Sequence, residues 1–362
     1  MNINNITRGM ARMGVQILSA GWREYSKLIL VSDQMGWSLD WDSRELKKIC
    51  KSLNIQTIPS YWKSTKTPQS IYYTDHYMIS KNEDWLEYPH RIGISFPEGV
   101  TIENNTHPVF ESLSRHHSRI DRVQVSHKAM FDYVTRSGIE SKKVFVIPIG
   151  INLSFFHFQN MSLRVQLRKK LGIPQNAFVI GSFQKDGQGW GSGMEPKWVK
   201  GPDVFYNAIK KIQKEVPDLM VLLVGPARGY LISVLEHAGV RWMHIPKTPY
   251  PEIGRLFTVL DLYIVASRHE GGPKAILESM ASGVPLVTTR VGQAMDLVKH
   301  GKNAFMVNVE DVDALAFYAL QVFHSSQANL QSMLLAGRKT AEANSYESQI
   351  PLWAEFMKGF VE

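Results

Sequence analysis

The residues with the most chemistry to offer lie between Asp261 and Gly301. An apolar run, Leu262 to Ala266, reads as a buried strand. It is followed by Ser267-Arg268-His269-Glu270-Gly271-Gly272-Pro273 and then by a segment of helical pattern carrying Glu278, Met280 and Ala281. Gly271 and Gly272 let backbone amides come close to a ligand. Pro273 suits a helix start, where its missing N–H leaves no hydrogen bond unmade. The first turn of such a helix presents free amides and the positive end of its dipole, which together suit a phosphate. Glu270 stands just before that start and Glu278 within the helix, so both carboxylates border one ligand. Each oxygen accepts hydrogen bonds, which matches the hydroxyls of a sugar. The pattern therefore points to a ligand that is phosphate and sugar together. The competing reading makes Glu270 a helix cap and Glu278 half of a surface ion pair.

Two other constellations invite a metal. Asp40-Trp41-Asp42 has the spacing of paired carboxylates that bind a divalent ion bridging a diphosphate. It follows the first strand and precedes a helix, where Asp and Ser commonly cap, so it reads as loop and cap. His116, His117 and His127 match no compact zinc spacing and read as helix-surface and loop histidines. The expectation is no metal and no cofactor.

These residues need a frame that holds loops at one edge. From Lys27 onward, short apolar runs alternate with amphipathic segments, the pattern of parallel α/β domains. Expected strands in the first half are Leu28 to Ser32, Ser70 to Thr74, Arg91 to Phe96, Arg122 to Ser126 and Val144 to Ile149, with a helix through Arg44 to Ser52. Asn152 to Gln159 reads as a linker. The rhythm then restarts with strands at Phe178 to Phe183, Leu219 to Val224, Arg241 to Ile245, Leu262 to Ala266, Pro285 to Thr289 and Phe305 to Asn308. Asp203 to Glu215 has apolar residues at helical spacing, and such crossovers are what parallel strands require. The predicted architecture is two Rossmann-like units, residues 1–155 and 156–340, facing across a cleft. A terminal helix within 341–362, spanning Tyr346 to Phe360, would pack back on the first unit. No Gly-x-Gly-x-x-Gly follows the first strand, which argues against a dinucleotide dehydrogenase.

At this point the sequence resembles a known family. Glu270-x7-Glu278, running on into Ser279-Met280-Ala281-Ser282-Gly283-Val284-Pro285-Leu286-Val287, is similar to the donor-site signature of the large retaining GT-B glycosyltransferase family that includes glycogen and sucrose synthase relatives. Val291-Gly292, Gly301-Lys302-Asn303-Ala304 and the segment Val146 to Phe156 extend the likeness. The resemblance implies that Glu270 contacts a donor sugar, that Glu278 holds ribose hydroxyls, and that Gly271, Gly272, Pro273 and Lys274 complete the donor site. It also implies two basic residues that neutralise the departing diphosphate, here Lys185 and Lys200. The family's usual arginine is absent, and a Gly- and Trp-rich insertion, Gly187 to Val199, separates the two lysines. Where the family often has a first-domain histidine near the reacting sugar, this chain has Pro97-Glu98-Gly99. Glu98, His76, or neither takes that acceptor-side role. The implied activity is metal-independent, retaining transfer of a sugar from a nucleotide-diphosphate sugar to a glycan or lipid-linked acceptor. The alternatives are an epimerase or hydrolase of the same fold and a non-catalytic nucleotide-sugar binder.

Bulk properties bound the partners. The chain has 362 residues, enough for two domains, with 44% hydrophobic and 20% charged residues, as in folded globular chains. The longest apolar runs are too short to span a bilayer. The one cysteine, Cys50, leaves no disulfide within the chain and is compatible with the cytoplasm. A net charge of +8 calls for an anionic partner or merely aids solubility. The basic residues are scattered, with no dense tract of the kind that binds nucleic acid. Near the N-terminus Ile6, Met10, Met13 and Ile17 form a stripe accompanied by Arg8, Arg12 and Arg23. It either packs on its own domain or gives peripheral contact with the inner face of a membrane.

Overall fold

Leu219-Met220-Val221-Leu222-Leu223-Val224 is buried along its whole length, the condition of a strand covered on both faces. Its side chains sort by alternation: Met220, Leu222 and Val224 join one core cluster, while Leu219, Val221 and Leu223 join another. A computed structural model describes residues 26–32, 38–59, 69–75, 86, 89–96 and 108–361, and shows this pattern repeated in two parallel sheets.

The first sheet contains β1 (Ser26–Val31), β2 (Ile55–Pro59), β3 (Ser70–Tyr73), β4 (Arg91–Phe96), β5 (Arg122–Val125) and β6 (Val144–Val146), in the order β2-β1-β3-β4-β5-β6. The second contains β7 (Phe178–Phe183), β8 (Leu219–Val224), β9 (Arg241–Ile245), β10 (Leu262–Val265), β11 (Leu286–Thr289) and β12 (Phe305–Val307), ordered β12-β11-β10-β7-β8-β9. Every strand pair is parallel. The expected α/β architecture with two Rossmann-like sheets is thus present. Strands β4, β7, β8 and β9 have the expected bounds.

Two local expectations need correction. Strand β2 is an addition to the expected set: Ile55 to Pro59 is short, with the adjacent polar residues Gln56 and Thr57 in its middle, and pairing with β1 makes it a strand. The helix expected from Arg44 begins at Ser38, so Asp40 and Asp42 sit inside its first turns rather than in a loop. The N-terminal stripe containing Ile6, Met10, Met13 and Ile17 lies outside the described residues.

The chain crosses between the sheets twice, and the crossings touch where Ile151 bridges Ser345. The last helix, Ile350–Met357, is shorter than expected but packs on the first sheet. Trp353, Phe356, Met357 and Phe360 share a cluster with Leu28, Leu30, Tyr72 and Ile147. Tyr72 meets Trp353 and Phe356 edge-on, with ring centroids at 5.9 and 5.5 Å. Ser70 Oγ donates to the Phe360 carbonyl at 2.6 Å and Arg122 Nε to that of Phe356 at 3.2 Å. The C-terminal residues therefore supply one face of the first sheet's core.

This face makes a stability prediction. Phe356→Ala should cost about 3–5 kcal/mol, the usual range for emptying a buried aromatic site, whereas Leu352→Ala, at a position 45% exposed, should cost far less. Urea denaturation of both variants checks this, and equal midpoints would contradict the assigned packing.

Candidate functional site

In the second sheet the chain runs outward from β7 through β8 to β9, then returns to lay β10 on the other side of β7. The connections leaving β7 and β10 therefore diverge. In open α/β sheets such a reversal leaves a crevice at the carboxyl ends of the two strands, and ligands bind there. Lys200 ends the connection after β7, and Glu270 lies in the one after β10. Lys200 Nζ donates to Glu270 Oε1 at 2.6 Å and to Oε2 at 2.7 Å, while Ser267 Oγ donates to Oε1 at 2.8 Å.

The two loops are stitched together by backbone. The amides of Arg268 and His269 donate to the Val199 carbonyl at 2.9 and 3.1 Å. Gly201 has φ +59°, and a Cβ there would fall 2.1 Å from the Ala266 carbonyl oxygen, so only glycine permits the approach. Arg268 grips both carboxylate oxygens of Asp203 at 2.8 and 2.7 Å and Glu310 at 2.6 Å. That bidentate grip fixes the frame around Lys200 and Glu270.

The helix Lys274–Ser282 begins after Pro273, and no side chain caps it, which removes the cap reading of Glu270. Glu278 is buried, which removes the surface-pair reading. Tyr250 Oη donates to Glu278 Oε1 at 2.8 Å. Burial pushes the Glu278 carboxyl up to about 7; Lys274 and the Tyr250 hydrogen bond oppose the shift, and the charge of Asp42 adds to it.

The first sheet reaches this loop directly. Ser126 Oγ donates to the Gly271 carbonyl at 2.9 Å, which also accepts the Gln293 amide at 2.9 Å. Ile149 N donates to Gln293 Oε1 at 2.9 Å, and a Cβ on Gly272 would come within 2.4 Å of Ile149 Cδ1. Lys274 Nζ pairs with the carboxylate of Asp42 and donates to Tyr346 Oη at 3.2 Å; Tyr346 Oη in turn donates to Asp42. Lys274, expected on the donor, also ties the two sheets to the C-terminal crossing. Asp42, read from sequence as part of a loop and cap, is its partner.

Lys185 follows β7, with its ammonium 3.7 Å from the centroid of the Trp190 ring. Desolvation, then the nearby Lys197, lowers its pKa. His117 Nδ1 lies 2.9 Å from the Ser114 carbonyl, whereas His127 is buried 2.9 Å from Ser126 Oγ, so the two do not converge. Among the described residues no group of three or more His, Cys, Asp or Glu is placed to hold a metal ion. Glu98 and His76 lie outside the described residues. Ser126, Gln293, Tyr250 and Tyr346 were not singled out from sequence. Gln293 follows the Val291-Gly292 pair, which is a usable signal; the other three carry none, because only the packed sheets bring them to the loop.

Two Rossmann-like parallel sheets of six strands each give the chain the GT-B architecture. Residues 190–325 match the family described as Glycosyl transferases group 1. An Escherichia coli UDP-Gal:alpha-D-GlcNAc-diphosphoundecaprenol alpha-1,3-galactosyltransferase is 27% identical over 202 residues, covering 54% of this chain and 49% of that protein. The chain thus spans about half the length of the curated relatives it matches. Anabaena HepE, solved with UDP-glucose, superposes with a TM-score of 0.72 at 16% identity, covering 92% of this chain and 100% of that one. Sucrose-phosphate synthase from Thermosynechococcus elongatus superposes at 0.73 with 14% identity, covering 92% and 98%. At these identities the solved structures establish the fold.

Glu278 gives the site a pH signature. The folded chain keeps this proton up to about pH 7, while an unfolded glutamate loses it near the ordinary value of 4.5. Between those values the folded state binds more protons, so stability falls as pH rises through the window. Glu278→Gln should remove that fall and gain on the wild type by on the order of 3 kcal/mol between pH 4.5 and pH 8. Urea midpoints across this range check it, and parallel curves for the two proteins would count against the assignment.

Proposed function

We propose that the chain transfers a hexose from a nucleotide-diphosphate sugar to a glycan or lipid-linked acceptor, with retention at the anomeric carbon and without a metal ion. The observation that carries the reading is the Lys200–Glu270 pair at the reversal between β7 and β10, with buried Glu278 in the helix that follows. An ammonium has three donor protons, so Lys200 can keep Glu270 in place while giving others to phosphate oxygens. Fixed positive charge at that point lowers the energy of the diphosphate as the sugar–phosphate bond breaks. Lys185 adds a second positive charge after the same strand. Glu270 positions the sugar through its hydroxyls, the amides around Gly271 and Gly272 face the sugar or diphosphate, and Glu278 receives the ribose hydroxyls.

Two lysines supply the charge that a divalent ion would otherwise bring, which supports metal independence and the absence of a cofactor. Retention follows the family resemblance, in which the leaving phosphate oxygen takes the acceptor's proton. The E. coli relative, by its name, uses UDP-Gal and an undecaprenyl-diphosphate-linked acceptor, which supports a lipid-linked glycan here. Units 1–155 and 156–340, with 341–362 returning to the first, are the proposed domains, with Glu98 and His76 on the acceptor side. No helix among the described residues is long and apolar enough to cross a membrane. A cytoplasmic enzyme with peripheral contact at the inner membrane face is the proposed setting.

The test is turnover of UDP-glucose, UDP-galactose and other nucleotide sugars, chosen by thermal shift, against lipid-linked and free glycans. Lys200→Ala and Glu270→Ala should each lower turnover about 100-fold or more, the loss typical of removing one charge-stabilising group, while both stay folded. Activity should persist in EDTA. Wild-type rates in either variant, or loss in EDTA restored by manganese, would overturn the proposal. Donor cleavage independent of acceptor would assign a hydrolase instead.

A further inference from the structure

The insertion between the two lysines exposes an unusual amount of aromatic surface. Trp190, Met194 and Trp198 are 58%, 56% and 55% exposed. All three belong to the one insertion, and exposed apolar side chains concentrated in one segment mark interaction sites more often than scattered ones do. The backbone beneath them is held throughout. Gly187 bridges Pro196, Gln188 N donates to the Glu195 carbonyl at 2.8 Å, and Lys197 N donates to that of Asp186 at 2.7 Å. The carbonyls of Ser192 and Gly193 accept the amides of Gly229 and Tyr230, at the start of the helix Gly229–His237. Gly193 has φ +73°, and a Cβ there would fall 2.2 Å from the Ala227 carbonyl oxygen. Under this frame Arg228 Nε lies 2.9 Å from Asp186 Oδ1, both side chains fully buried. The indoles are therefore presented to solvent from a fixed base, which reduces the ordering that binding would otherwise require.

Their position says which ligand they face. Trp198 stands two residues before Lys200 and packs on His269, the neighbour of Glu270, with ring centroids 5.4 Å apart. The Arg268 guanidinium lies 4.9 Å from the Trp198 ring, and Lys185 holds Trp190 in the same manner. Glu278 and Tyr250, the groups suited to the nucleoside, belong to other elements: the helix Lys274–Ser282 and the helix Tyr250–Phe257. Trp198 thus lies against the loop that carries Glu270. An indole offers a flat apolar face that matches the C–H face of a pyranose, with a polar edge for its hydroxyls.

We propose that residues 187–199 form a glycan-binding lobe, in which Trp198 and Trp190 stack on sugar rings of the acceptor. The assignment of these rings to the acceptor rests on reading Lys200–Glu270 as the site of transfer. Tryptophan beside lysine also suits a lipid interface, but a membrane seated here would cover the crevice next to Lys200 and Glu270. A saccharide is the occupant that leaves it open.

The test uses the wild-type chain, Trp190→Ala, Trp198→Ala, the double variant and Trp198→Phe. Probes are an array of di- to hexasaccharides of glucose, galactose and N-acetylglucosamine, free and on a short isoprenoid diphosphate, and vesicles of phosphatidylglycerol with phosphatidylcholine. Wild type should bind a subset of the glycans with a change in indole fluorescence. The double variant should bind them at least tenfold more weakly, and Trp198→Phe should recover most of the loss. Thermal unfolding without ligand and the shift induced by the wild type's best nucleotide sugar should match across the set, which separates glycan recognition from folding and donor binding. The lobe is refuted if wild type binds no glycan, if the double variant binds as well, or if vesicle binding alone depends on the tryptophans. Failure of every nucleotide sugar to shift the wild type would instead overturn the proposed transfer reaction, whatever the array shows.

Discussion

An ammonium and a carboxylate held 2.6 Å apart between the connections that follow β7 and β10 set the terms for the rest of this structure. Both groups are largely withdrawn from water, with side-chain exposures of 24% and 12% for Lys200 and Glu270. Withdrawing charge from water is costly unless a partner with good geometry offsets it. Here the partner comes from the neighbouring connection, so the pair forms only when β7 and β10 lie side by side in parallel. The topology thereby becomes a condition of the chemistry. The stitching between Val199, Arg268 and His269, the glycine at 201 and the Arg268 clamp all serve to keep those two connections in register. The pair also keeps the positive charge oriented, and charge held ready in this way needs little rearrangement at the moment of reaction.

The second constraint is that the two sheets meet through a few polar side chains. Asp42 on the first helix, Lys274 at the head of the helix after Glu270, and Tyr346 on the returning chain meet in one polar cluster. Ser126 and Ile149 reach the Gly271–Gly272 loop from the other side. The negative charge of Asp42 contributes to raising Glu278, while Lys274 restrains the shift. The contact that joins the sheets therefore also tunes the buried carboxylate. Hydroxyl donors arriving at Glu278 would favour its charged form, so ligand binding and the state of this group are linked.

Much of this was legible in the sequence for a physical reason. A strand buried on both faces must be continuously apolar, and Phe178 to Phe183 and Leu219 to Val224 could hardly be anything else. Glu270-Gly-Gly-Pro announces a helix start with room for a ligand because each residue type is costly elsewhere. Strand β2 was illegible because Ile55 to Pro59 has no apolar run, its stability coming from pairing with β1. The tie that Lys274 makes was not legible because its neighbours in sequence suggest only the ligand, whereas its partners Asp42 and Tyr346 lie 232 and 72 residues away. Tyr250 and Ser126 gave no signal for the same reason. Contacts between sheets leave no periodicity, and pattern reading reports only what is local.

The central claim is that Lys200, poised on Glu270, exists to receive a diphosphate. Calorimetric titration of nucleosides, nucleoside monophosphates and nucleoside diphosphates into wild type and Lys200→Met isolates that contribution. The account predicts that the preferred nucleoside diphosphate loses on the order of 100-fold in affinity in the variant, as expected for a charge-assisted contact of about 3 kcal/mol, while the matching nucleoside binds both proteins equally. Equal diphosphate affinity in the two proteins would contradict it.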